Sequence, residues 1–226
     1  MKSKLAIVLE KNSNKFHKVV DFDKTIDSLY MIDCSASNAD LTPSLLANTA
    51  LFSAYVEQKI TLSNAKFAFG GYAEDRVLYK RSTHFDGKQN RTIHLGVDIW
   101  GPIDTKVYVP IGGMLHSFAF NNHYADYGAT IILQHQLDTV VFYTLYGHVS
   151  LKDLVPLQVG KYISRGEVLA HFGNPTENGD WPPHLHFQII EDMQFKEGDY
   201  PGVCAFTEKE FYLANCPDAN LILNMI

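Results

Sequence analysis

Two histidines stand two residues apart in the run Pro183-His184-Leu185-His186-Phe187, followed by Gln188-Ile189-Ile190. The apolar character after Pro183 predicts a strand, and on a strand residues i and i+2 share a face, so both imidazoles point the same way. Such a pair suits a divalent metal, or one metal ligand beside one acid–base group. A second segment, His94-Leu95-Gly96-Val97-Asp98, places a carboxylate four residues after an imidazole. On a straight strand that spacing is roughly 13 Å, too far for one ion bound at about 2 Å. A bend at Gly96 solves the geometry. A third histidine, His148, ends the apolar run that begins at Val140, where a strand-end side chain can face a cleft. Singly, each segment is read as well by a packed or solvated histidine. Together, two imidazoles and a carboxylate make a sound ligand set for zinc that leaves a fourth position for water. Two further histidines remain to handle protons. A purely structural zinc site would fill all four positions, often with thiolates, yet Cys34, Cys204 and Cys216 lie far from these segments in sequence.

The elements that must position these groups are mostly short strands. Val107–Val109, Met114–Phe120, Thr130–Gln134, Val140–Leu145, Val168–Phe172 and Leu185–Ile190 are the clearest, with Gly, Pro, Asn and Asp clustered between several of them. Upstream, the apolar runs Leu5–Leu9 and Leu29–Cys34 also read as strands. The stretch Leu41–Ile60 reads as one helix, with Thr42 as N-cap and Pro43 in its first turn, where a missing N–H costs nothing. The pattern predicts a mainly β protein with an antiparallel core. An N-terminal α/β extension (residues 1–65) would pack on a catalytic β domain (66–226).

Bulk properties narrow the function classes. With 226 residues the chain can bury one substantial core. A net charge of −6 and the lack of a basic run exclude an electrostatic footprint for nucleic acid. The start, MKSKLAIVLEKNS, has too short an apolar stretch for an export signal, and no segment approaches a membrane span. An odd count of three cysteines without a CxxC pair favours reduced thiols. These features predict a cytoplasmic protein that binds neither membrane nor nucleic acid.

The motifs resemble those of the lysostaphin-type, LytM-like zinc endopeptidases: HxxxD at His94–Asp98, the strand-end histidine in LYGHVS, and HLHF at His184–Phe187. Their context agrees, including Thr105-Lys106-Val107-Tyr108-Val109-Pro110, Gly112-Gly113, Gly166-Glu167-Val168 and Phe172-Gly173-Asn174. The resemblance covers roughly residues 90–190 and keeps the family's motif order. It implies a duplicated hybrid-motif β fold with the site along a groove. It implies one zinc ion per chain held by His94, Asp98 and His186, with His148 and His184 as acid–base and transition-state partners. The substrate would be a peptide or amide. Family members often carry Ser-x-Gly before the HxH; this chain has Gly179-Asp180-Trp181-Pro182-Pro183, which stiffens and crowds that rim. The family's upstream tyrosine has two candidates, Tyr72 and Tyr79, and packing is the simpler role for either. The stretch from Asn174 to Gln188, with Asp199-Tyr200-Pro201-Gly202-Val203, also looks like the peptidase-like module fused to class-III aminotransferases in some bacterial proteins. That kinship implies a small or cytoplasmic peptide as substrate.

Two other readings compete: a catalytically silent zinc-bearing binding or regulatory module, and a metal-dependent amidohydrolase of a small metabolite. His17, His84, His116, His123, His135 and His171 are assigned no function, with His84 and His123 the two to check against the groove. Arg76 and Arg91 could fork onto a substrate carboxylate, though solvated arginines are the simpler reading.

Overall fold

In the computed structural model, which describes residues 3–81 and 90–226, the chain is mainly β. The strands are β1 (Leu29–Ile32), β2 (Phe67–Gly70), β3 (Arg91–His94), β4 (Val97–Trp100), β5 (Lys106–Tyr108) and β6 (Gly113–Asn121). They continue with β7 (Gly128–Leu137), β8 (Val140–Val149), β9 (Tyr162–Ile163), β10 (Val168–His171), β11 (His184–Ile190) and β12 (Val203–Ala205). Helices are α1 (Lys4–Lys11), α2 (Pro43–Leu46), α3 (Thr49–Leu62), α4 (Lys209–Asn215) and α5 (Asn220–Leu223). One eight-stranded sheet runs in the order β1-β2-β4-β11-β8-β7-β6-β9, and β10-β5 and β12-β3 form two small ladders. Every predicted strand from Val107 onward is present.

The N-terminal residues depart from the sequence reading in two places. Leu5–Leu9 is a helical turn inside α1, not a strand. Ser3 caps it, accepting from the Ala6 N–H at 3.1 Å, and Leu5 and Leu9, one turn apart, are fully buried while Ile7 is half exposed. Five apolar residues are too few to tell the two periods apart. The predicted helix at Leu41–Ile60 is two helices. Thr42 caps α2 as expected, but Asn48 then accepts from the Leu51 N–H at 3.1 Å and starts α3 afresh. This pair of helices crosses over between β1 and β2, which are parallel, so the antiparallel core gains one β-helix-β unit at its edge.

Alternation along β4, β8 and β11 divides the sheet faces. Val97, Ile99, Tyr146, Leu185, Phe187 and Ile189 point into the large core, which α1 closes with Leu5 and Leu9. Asp98, Trp100, His184, His186 and Gln188 occupy the opposite face. Two smaller apolar clusters cover that face. One joins Phe52 and Val56 of α3 to Trp100 and Trp181, and the other gathers Leu95, Tyr127, Leu145, Tyr200 and Cys216. Next to the polar groups these clusters leave a cavity.

Candidate active site

Strand pairing brings the segments together. In the β11–β4 ladder His186 lies opposite Asp98, and in the β11–β8 ladder it lies opposite Gly147. Gly96 falls in the break between β3 and β4, the bend that the HxxxD spacing required. It serves a second purpose, since a Cβ there would lie 2.7 Å from the His186 ring and 2.8 Å from the Phe187 carbonyl oxygen. His148 reaches the same face by a bulge. From Tyr146 to Val149 the β8 chain advances three residues while its β7 partners, Ile131 to Ala129, advance two. His148 takes a φ of +62°, and its ring centroid comes to 4.1 Å from that of His184. Without the bulge it would share the core-facing side of Tyr146.

The outer partners of each ring fix where its protons sit. His94 Nδ1–H donates to the Gly71 carbonyl at 3.0 Å, leaving a lone pair on Nε2. His186 Nε2–H donates to Gln188 Oε1 at 2.9 Å, leaving a lone pair on Nδ1. The Gln188 amide is held in that sense by donating from Nε2 to the Pro201 carbonyl at 3.1 Å. His94 Nε2, His186 Nδ1 and Asp98 Oδ1 then face one another at 3.0, 3.0 and 3.3 Å. In these neutral tautomers all three are acceptors, and a cation satisfies them together. Ligands at about 2.05 Å from a tetrahedral zinc sit about 3.3 Å apart, so the spacing and the donor types fit the ion. Hydrogen bonds from the far ring N–H groups to the Gly71 carbonyl and to Gln188 Oε1 are the usual support for metal-binding imidazoles.

His148 and His184 are held in the same sense as His94 but lie outside the converging trio. Their Nδ1–H groups donate to the carbonyls of Asn178 at 2.8 Å and Pro182 at 2.7 Å, so each presents a lone pair at Nε2. Burial, reinforced by the neighbouring His184, holds His148 well below its ordinary pKa. Burial likewise lowers His184 to about 4, and His94 to about 4 with help from Arg76. Burial alone would raise Asp98, but His94 and Arg76 beside it outweigh this and hold its carboxyl well below the usual range. Asp98 is therefore a carboxylate beside the neutral imidazoles of His94, His148 and His184. All five side chains are at most 6% exposed.

The adjoining cavity, about 100 Å³, is lined by Asp98, His148, His184 and His186 together with Phe52, Tyr79 and Trp181, among others. Tyr79 lines it and Tyr72 does not; the Tyr72 hydroxyl donates to the Cys216 carbonyl at 2.6 Å, a packing role. Arg91 also lines it, whereas His123 is exposed and does not; His84 lies outside the described residues. The sequence reading missed the part that two polar groups play in the site. Gln188 could have been found by alternation, two residues past His186 on one face. Arg76 is not solvated but 1% exposed, paired to Asp98 at 2.5 Å, and nothing in its local sequence signals this. Among the described helices none is long and apolar enough to cross a membrane.

Comparison with known proteins adds a family to this geometry. A zinc-containing peptidase from Vibrio cholerae is 26% identical over 43% of this chain, with a TM-score of 0.35, and the chain covers only 27% of that protein. The catalytic domain of lysostaphin from Staphylococcus simulans is 22% identical, covering 54% of this chain and 80% of that domain, with a TM-score of 0.37. A peptidase M23 from Pseudomonas aeruginosa, described as putative, is 16% identical over 63% of this chain and 49% of that one, with a TM-score of 0.39. No curated protein matches the chain. The model of peptidase family M23 matches residues 92–197, a span that holds all three motifs. Over that segment, just under half of its length, the chain is similar to peptidase family M23 and to the LytM-like peptidases.

Proposed function

We propose that the protein is a zinc-dependent peptidase that hydrolyses a peptide or amide bond in a small substrate. His94, Asp98 and His186 hold the metal, and His148 and His184 carry protons. The observation that supports this most is the meeting of three acceptor atoms within 3.3 Å, beside two more imidazoles whose Nε2 lone pairs are free. A zinc ion held there would supply the activation of a water, lowering its pKa to about 7, and the polarisation of the carbonyl under attack. The side chains supply the rest. Asp98 stays ionised at any working pH, because Arg76 and His94 hold its proton off. His148 and His184, neutral at pH 7, accept a proton at Nε2 from the attacking water and return it to the leaving amine. The carbonyls of Asn178 and Pro182 hold the Nδ1–H of each ring and stabilise the positive charge in between.

Burial argues for a small substrate. Phe52 from α3, with Leu78, Tyr79 and Trp181, walls the cavity, so an extended chain cannot lie across the reacting groups without displacing them. A short peptide, or an amide-bearing metabolite, reaches the centre through the mouth of the cavity. Three free and buried thiols support a cytoplasmic setting for that chemistry. The test is zinc analysis of the purified protein, followed by hydrolysis assays on di- and tripeptides, small amides and long peptides, before and after chelation. Turnover confined to short substrates, lost on chelation and restored by zinc, is the expected result. Zinc-loaded protein that turns over none of them would instead be a binding module.

A further inference from the structure

We infer that Arg76 is a positioning residue for the metal centre, holding the outer oxygen of Asp98 so that only Oδ1 is offered to the ion. The inference rests on the zinc reading above and extends it to a residue upstream of the segment that matches the family model. Arg76 Nη1 donates to Asp98 Oδ2 at 2.5 Å, and Nε donates to Glu74 Oε2 at 2.8 Å. The two oxygens of Asp98 thus have separate tasks. Oδ2 belongs to the guanidinium, while Oδ1 lies 3.0 Å from His186 Nδ1 and 3.3 Å from His94 Nε2. A carboxylate pinned at one oxygen can neither rotate nor chelate through both.

Packing alone does not account for the arrangement. A guanidinium whose side chain is 0% exposed is costly to bury, and its Nη2 has no hydrogen-bond partner among the described residues. The surrounding chain makes room for it. Gly70 lies opposite Asp98 in the β2–β4 ladder, and a Cβ there would sit 2.7 Å from Arg76 Nη2 and against the Trp100 ring. Glu74 is itself fixed, accepting from the Cys34 N–H at 2.9 Å, so the residues just after β1 reach the metal centre through Glu74, Arg76 and Asp98. Charge gives the pairing a purpose. With neutral imidazoles, Asp98, Glu74 and Arg76 sum to one negative charge, which a divalent ion converts to one positive. In the metal-free chain, removing the arginine leaves two carboxylates, one of them 6% exposed, to share the site without a counter-ion.

Zinc affinity separates this role from a merely structural one. Wild type, Arg76→Met and Arg76→Lys would be titrated against a chromophoric zinc chelator, with thermal unfolding of each metal-free protein measured alongside. Wild type is expected to bind one zinc, and Arg76→Met to bind it about 10–100-fold more weakly, the usual loss for an outer-sphere partner. Arg76→Lys should recover part of that loss, since it restores the charge but not the planar fork. Cobalt-loaded Arg76→Met should also show weaker visible bands than wild type, as a freed Asp98 raises the coordination number. A structural arginine would lower the melting temperature and leave the affinity of the folded protein unchanged. Wild-type affinity in the folded Arg76→Met protein overturns the inference. Should that variant not fold, Arg76→Lys decides in the same way. A wild-type chain that takes up no zinc sinks the reading of the site itself, which the variants alone cannot do.

Discussion

Each of the five side chains at the centre has a distinct outer partner, so their removal should have distinct consequences. His94→Ala or Asp98→Ala deletes one of three converging acceptors and should abolish zinc binding at micromolar metal. His148→Ala leaves those acceptors intact and removes only the Nε2 lone pair facing them. It should keep one zinc per chain and lower kcat by about 10²–10⁴-fold, the usual worth of a positioned proton carrier. Elemental analysis of the three purified variants checks this, and equal zinc in all three would defeat the division of roles. The motif residues were legible because each pair lies within five positions of one strand or bend. Most of their partners were not. The Gly71 carbonyl, the Asn178 carbonyl and Arg76 act through distances set by the fold, and an arginine that pairs across 22 residues looks the same in sequence as a solvated one.

At the scale of elements, the site depends on two places where a strand departs from regularity. The strand periods of β7, β8 and β11 were plain in the sequence, and so was a bend at Gly96, because no straight strand brings His94 to Asp98. The bulge at His148 was not, since it is defined by the register against β7. Nor was the break between α2 and α3, where the Asn48 cap outcompetes continuation of an apolar stripe. The bend makes a sharp prediction. In Gly96→Ala every ligand remains, but the added Cβ meets the His186 ring on one side and the Phe187 carbonyl, a fixed strand atom, on the other. The ring is the part that can yield, so His186 Nδ1 should move off the other two acceptors. Zinc content should fall well below one per chain, with a stability loss of about 1–3 kcal/mol from overpacking. A Gly96→Ala protein fully loaded with zinc would show that the close approach is incidental.

For the whole molecule, the N-terminal helices and the histidine-rich interior set opposite conditions on stability. Phe52, fully buried, is both core for α3 and wall for the cavity. Phe52→Ala should cost about 3–5 kcal/mol by urea unfolding and, by widening the cavity, should admit longer peptides than wild type cleaves. Acid should expose the other condition. His94 and His184 near the cavity, and His135 away from it, are all held at about 4 in the folded chain, chiefly by burial, against 6.5 when unfolded. A histidine whose pKa is depressed by folding leaves stability intact above pH 6.5 and withdraws it as the pH falls toward 4. The loss is about 1.4 kcal/mol per pH unit for each group. Asp98 adds nothing within this window, because its change lies below pH 4. His135 isolates the effect from the metal. Its Nδ1–H donates to the Gly112 carbonyl at 3.2 Å, its Nε2 lies 2.7 Å from the Thr144 hydroxyl, and Phe142 packs against its ring. In metal-free protein, His135→Gln should therefore flatten the fall in unfolding free energy between pH 6.5 and 4 by about one proton. Metal-loaded wild type should fall more steeply than the metal-free chain, because zinc is released as its imidazoles protonate. An unchanged slope in His135→Gln would mean that this imidazole takes up its proton in the folded core as readily as in the unfolded chain.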